Sequence, residues 1–148
     1  MSERTVPRAV LTVRRNALRA ATLLLLAAAA SGCGATAARS GEAAALAETF
    51  EGMLHAHRTL AACALLAPET RSELQESQRS ACASALGEQG LPEGGPVRDV
   101  EVYGRQAQVV LRDDILFLSR FDEGWRVVAA GCAAEPGEPA FTCTIKGG

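Results

Sequence analysis

Residues 97–132 read VRDVEVYGRQAQVVLRDDILFLSRFDEGWRVVAAGC, and this stretch decides the fold. Val100 and Val102 alternate with Asp99, Glu101 and Tyr103, the period of two of a strand with one dry and one wet face. Gly104-Arg105 fits a two-residue hairpin turn that opens on glycine, and Ala107, Val109 and Leu111 resume the alternation behind it. Asp113-Asp114 turns the chain again. Ile115-Leu116-Phe117-Leu118-Ser119-Arg120-Phe121 is apolar at both parities, as an inner strand covered on both faces is. Asp122-Glu123-Gly124 leads into a fourth strand, Trp125 to Cys132. A loop with Pro136, Gly137 and Pro139 then precedes a short last strand, Phe141 to Ile145. Tight turns between short strands predict an antiparallel meander.

Upstream, Gly90-Leu91-Pro92-Glu93-Gly94-Gly95-Pro96 ends helical structure, and before it the period is that of a helix. From Glu42 to about Leu60, at 100° per residue, Leu46, Phe50, Met53, Leu54, His57 and Leu60 fall within an arc of about 120°. Glu48, Glu51, His55 and Arg58 lie on the other side, where they are expected to meet water. Ala61 to Leu66 continues as a short helix or turn stopped by Pro68, which also suits the first turn of a next helix. Ser80 to Leu86 is helix-prone, with Gly87 as its stop. Helices first and a meander after them predict an α+β domain, with the helices packed on one face of a curved sheet.

The charge is distributed unevenly along the chain. Of 148 residues, 15 are basic and 17 acidic, yet the first 20 residues hold five arginines and one acid. The remainder therefore carries 10 basic against 16 acidic groups, about −6. A nucleic-acid partner is excluded on that ground, since phosphate neutralisation needs clustered Lys and Arg.

Those arginines precede Ala20 to Ala30, an apolar run of 11 residues. As a helix it rises only ~16 Å, short of the ~30 Å hydrocarbon core. Basic and then briefly apolar, residues 1–32 read as a removable signal peptide. Arg14-Arg15 leaves Sec and twin-arginine export both open. Ala30-Ser31-Gly32-Cys33 resembles the lipobox of bacterial lipoproteins, with Ala30 where Leu is usual. The resemblance implies a diacylglyceryl anchor on Cys33 and a place on the outer face of the cell membrane. Small and polar, residues 33–41 read as the lipidated cysteine and a flexible tether, leaving 42–148 as one domain.

With Cys33 set aside, Cys63, Cys82, Cys132 and Cys143 remain, an even count that predicts two disulfides in an exported chain. Three pairings are open. Cys63–Cys82 with Cys132–Cys143 keeps each bridge within one layer, whereas the alternatives cross from helices to sheet twice, so the local pairing is expected. Gaps of 19, 50 and 11 residues lack metal-finger spacing, and neither a metal nor a cofactor is expected.

Ala61-Ala62-Cys63-Ala64-Leu65-Leu66-Ala67-Pro68-Glu69-Thr70, Val100 to Gly104, Trp125 to Cys132 and Phe141-Thr142-Cys143 together resemble small actinobacterial lipoproteins with a nuclear transport factor 2-like (SnoaL-like) fold. The resemblance covers roughly Glu42 to Lys146. It implies a cone between helix and sheet, in a superfold that hosts isomerases, polyketide cyclases, scaffolds and transport partners alike. Pocket candidates are then Phe50, Met53, His57 and Trp125. No phosphate loop, dinucleotide fingerprint or nucleophile elbow is present. The expected function is a membrane-anchored binding or accessory domain for an envelope protein or an apolar ligand. The alternative is an isomerase or polyketide-cyclase-like enzyme with His57 as its base.

Overall fold

The computed structural model describes residues 31–137 and 140–147, with side chains from Gly34 onward. The signal-peptide reading and the side chain of Cys33 lie outside these described residues. The chain divides into two compact units, Met1–Ala37 and Ala38–Gly148. The second holds the domain.

Among the described residues four helices precede five strands: α1 Ser31–His55, α2 Thr59–Leu65, α3 Pro68–Gln78, α4 Cys82–Glu88, β1 Val97–Tyr103, β2 Gln106–Leu111, β3 Ile115–Phe121, β4 Gly124–Ala134 and β5 Phe141–Lys146. The strands form one antiparallel sheet in the order β1-β2-β3-β4-β5, the meander that the alternation predicts. Residues 34–41 depart from the expected tether, for they are helical. Alanine is the best helix former, and Ala35, Ala37 and Ala38 outweigh two glycines there. Arg39 also donates to the carbonyl of Gly104, and Arg120 pairs with Glu42, so the start of the compact unit is fastened to the sheet.

The same helix ends sooner than its periodicity predicts. His57 has φ 54°, a left-handed conformation that closes α1. Its N–H donates to Leu54 O at 3.0 Å and that of Arg58 to Met53 O at 2.8 Å, which together satisfy the last carbonyls of the helix. Leu60, placed by the arc among core residues, is 77% exposed on α2. The buried stripe is instead Ala43, Ala47 and Phe50.

The inner sheet face supplies Val109, Leu116, Leu118 and Val127, which fill the space beneath Phe50 and Leu86. These side chains are at most 2% exposed, so the layer between helices and sheet is solid. The expectation that β3 is covered on both faces is not met among the described residues. Its outer side chains Ile115, Phe117 and Phe121 are half-buried, and Phe117 meets the ring of Phe141 edge-on at 5.1 Å between centroids.

Pairing between β3 and β4 shifts by one residue between Phe117 and Leu118, a bulge that bends β4. The bulge turns the Val128 carbonyl toward Thr70 Oγ1 and Gly147 N, both of which donate to it. Beyond β5, Leu66 bridges Val127, and Ala67 N donates to Val127 O at 2.8 Å, so the α2–α3 junction continues the sheet edge.

Both disulfides follow the local pairing. Cys63–Cys82 joins α2 to α4, and Cys132–Cys143 joins directly opposed residues of β4 and β5. Opening the second frees β5 at the sheet edge. Closing a loop of this size contributes ~3 kcal/mol on the loop-entropy account. Cys143→Ser is therefore expected to lower the melting temperature by several degrees or more, since ~1 kcal/mol moves a domain this size by about 4 °C. Alkylation should then label Cys132 and spare Cys63 and Cys82. A Cys63–Cys132 peptide in a non-reducing map of the wild type would overturn the pairing.

Candidate functional site

A cleft of about 690 Å³ opens where α1 ends, between its last turns, the carboxyl end of α4 and the loop 90–96. Leu54, Leu86 and Leu91 supply apolar wall, and Glu51, His57 and Arg112 supply polar groups. The loop is held there by backbone pairing with the β2–β3 turn. Arg112 N donates to Pro96 O at 3.1 Å, and Asp113 N donates to Gly94 O at 2.9 Å. Gly94 also donates its N–H to Glu51 Oε2 at 2.9 Å. A Cβ at Gly94 would lie 2.9 Å from the Glu51 carboxyl and 3.0 Å from Leu111, so a larger residue there would require those side chains to shift.

Behind Glu51 stands a second carboxylate. Asp114 is 6% exposed and accepts three backbone N–H bonds. Oδ1 takes those of Ile115 at 2.6 Å and Cys132 at 3.0 Å, and Oδ2 takes that of Gly131 at 3.1 Å. Gly131 has φ 65°, and a Cβ there would run into Thr144 Oγ1 at 2.5 Å. The aspartate thus satisfies donors at the place where β4 has left the β3 ladder.

Burial pushes the Glu51 carboxyl above its ordinary value of 4.5, the Gly94 hydrogen bond opposes the rise, and the Asp114 charge adds to it. Burial also lifts Asp114, against its three hydrogen bonds. Glu51 Oε1 is buried and has no hydrogen-bond partner within the protein. Removing a charged oxygen from water without a donor is costly.

Of the residues that the sequence marks as pocket candidates, only His57 lines the cleft. It stands exposed at the helix terminus rather than inside an apolar cone, because α1 has already ended. Phe50 is fully buried core, and Met53 packs against that core. Trp125 is 6% exposed on the inner sheet face, with the Arg120 guanidinium 5.8 Å from its ring centre and its own N–H unpartnered. Phe50 and Trp125 are walls of the core, not of a pocket.

Glu51 lies on the side of α1 expected to meet water, yet it is half-buried, and Asp114 stands in the expected turn but is buried there. The one sequence signal for Glu51 is Gly94-Gly95 between Pro92 and Pro96, a chain able to approach a neighbour closely. Among the described residues no three His, Cys, Asp or Glu come together as metal ligands. No protein-family model matches the chain, and neither curated proteins nor solved structures include a significant match to it.

The two carboxylates respond in opposite ways to loss of charge. Glu51→Gln keeps an acceptor for Gly94 N–H and removes a buried charge beside Asp114, so it is expected to raise the melting temperature at pH 7 by a few degrees. Asp114→Asn points an amide donor at one of three N–H groups and should cost ~2 kcal/mol, as for a lost bond to a charged group. Because the folded state raises the Glu51 pKa, it binds protons more tightly than the unfolded chain does. Its contribution to stability is therefore lost as pH rises through the raised value. Thermal melts should show the wild type gaining on Glu51→Gln as pH falls from 7 toward 5, and a constant difference would sink this account.

Proposed function

We infer that this is a lipid-anchored extracytoplasmic protein whose domain binds a ligand or partner rather than transforming one. The observation that carries the extracytoplasmic part is the pairing of Cys63 with Cys82 and of Cys132 with Cys143. Disulfides of this kind persist in oxidising compartments. They also consume every cysteine after Cys33, the residue that follows the small Ala30-Ser31-Gly32 stretch. Among the described residues no helix is long and apolar enough to cross a membrane, and this reading places attachment on Cys33. Two acyl chains on that residue suffice for stable anchoring.

The fold belongs to the same reading. Helices laid on one face of a curved antiparallel sheet support the nuclear transport factor 2-like assignment, although here the interior is packed and the open volume lies at the end of α1. Binding is favoured over catalysis because His57, the base on which an isomerase reading depends, faces water. The cleft is the place for the bound species, with its loop supplied by residues between helices and sheet.

Cys33→Ser tests the anchor. The variant is expected to appear in the soluble fraction, or to accumulate as an unprocessed precursor, while the wild type pellets with membranes. Fractionation of Cys33→Ser with membranes as a mature-sized species would refute the lipid anchor.

A further inference from the structure

We propose that the end of the domain carrying Tyr103, Gly104 and Arg105 docks on the lipid surface, with the Tyr103 ring among the headgroups. The proposal rests on the lipid anchor inferred above and adds the face by which the domain meets the membrane. Arg39 donates to the carbonyl of Gly104, which fastens this point of the chain to the β1–β2 turn. Arg39 follows Cys33 by only six residues. Six residues reach ~21 Å when fully extended, so an anchor on Cys33 keeps the turn close to the headgroups whatever path the chain takes.

The turn carries side chains suited to the boundary between water and lipid. Tyr103 is 66% exposed, the most exposed aromatic among the described residues, and its ring has an apolar body with a polar tip. Arg105 is exposed beside it, and a guanidinium on a flexible stem pairs readily with lipid phosphate. The β3–β4 turn lies at the same end, for Arg105 donates from Nε to Arg120 O at 2.9 Å and stands 3.5 Å from Asp122. Since the anchor already confines the domain, the contact needs little affinity of its own.

Charge separates this end from the opposite one. Around the two turns Arg105 answers Asp122, Arg120 answers Glu42, and Arg39 offsets Glu101, which accepts the Tyr103 hydroxyl at 2.9 Å. Glu123 and Arg126 add one charge of each sign. The other end of β1 is ~20 Å away at the rise of a strand. There Glu48, Glu51 and Glu93 line the cleft and Asp113 and Asp114 stand in the β2–β3 turn, against Arg58 and Arg112. Anionic headgroups repel that end and accept the balanced one. Leu60 is 77% exposed, more than Tyr103, but it follows Thr59 of the cleft wall and belongs to the acidic end. The cleft then opens away from the membrane.

The mature lipidated protein, purified from membranes and reconstituted into vesicles containing brominated phosphatidylcholine, tests the proposal. The wild type has one tryptophan, the buried Trp125, whose quenching is the baseline. Above that baseline Tyr103→Trp is expected to lose most of its added emission and Leu60→Trp almost none. The contrast should widen when phosphatidylglycerol is included in the vesicles. Flotation of the protein with the vesicles is read on the same samples. Failure to float would overturn the anchor and the docking with it. Flotation with Tyr103→Trp unquenched, with both variants quenched alike, or with Leu60→Trp quenched more strongly would overturn the docking and leave the anchor standing. A contrast that phosphatidylglycerol abolishes would overturn it as well.

Discussion

Three backbone N–H groups converge on the carboxylate of Asp114, and much of the domain depends on that convergence. β3 pairs with β4 only from Phe117 onward, yet β4 continues past Cys132 to pair with β5. Where the two strands part, Gly131 and Cys132 have donors and no ladder to receive them. Asp114 receives both and also binds Ile115, at the start of β3. An unpartnered buried N–H costs about as much as a lost hydrogen bond, so the aspartate stabilises the divergence of the strands. The position of Cys132 opposite Cys143 follows from this, and so does the disulfide that fastens β5.

The same residue sets the character of the cleft. Burial raises the energy of the ionised form of Glu51, and the charge of Asp114, held by three N–H donors, adds to it. Glu51 in turn receives Gly94, and through it the loop 90–96 is drawn onto α1. Fold and cleft are therefore coupled through two acids on different elements. Polar groups buried in this way are stringent, because low local dielectric strengthens both the satisfied and the unsatisfied ones.

Elsewhere the domain is stabilised by ordinary means. Ala43 and Ala47 are fully buried along α1, and Phe50 joins them in the core. The α2–α4 disulfide covers what a short helical layer with few large apolar residues would otherwise leave loose. With the interior so filled, a ligand has no room between helix and sheet, and the open volume is displaced to the end of α1.

Strand alternation in β1 and β2, the glycine-led turn at Gly104 and the local cysteine pairs were legible, because each depends on neighbours in the chain or on the two-residue period of a pleated strand, whereas the double cover expected of β3 was not met. The helical layer was legible in outline, with Pro68 at the start of α3 as its clearest mark. The end of α1 was not. Periodicity carries the apolar arc through His57 to Leu60, whereas hydrogen bonds from His57 and Arg58 back to Leu54 and Met53 close the helix first. Nor were the roles of Glu51 and Asp114 legible, since their burial comes from a loop some 43 residues downstream for one and a strand 17 to 18 residues away for the other. Sequence alone determined the order and period of the elements. Only the tertiary structure decided which acids lose their water, because desolvation is imposed by whatever packs on top.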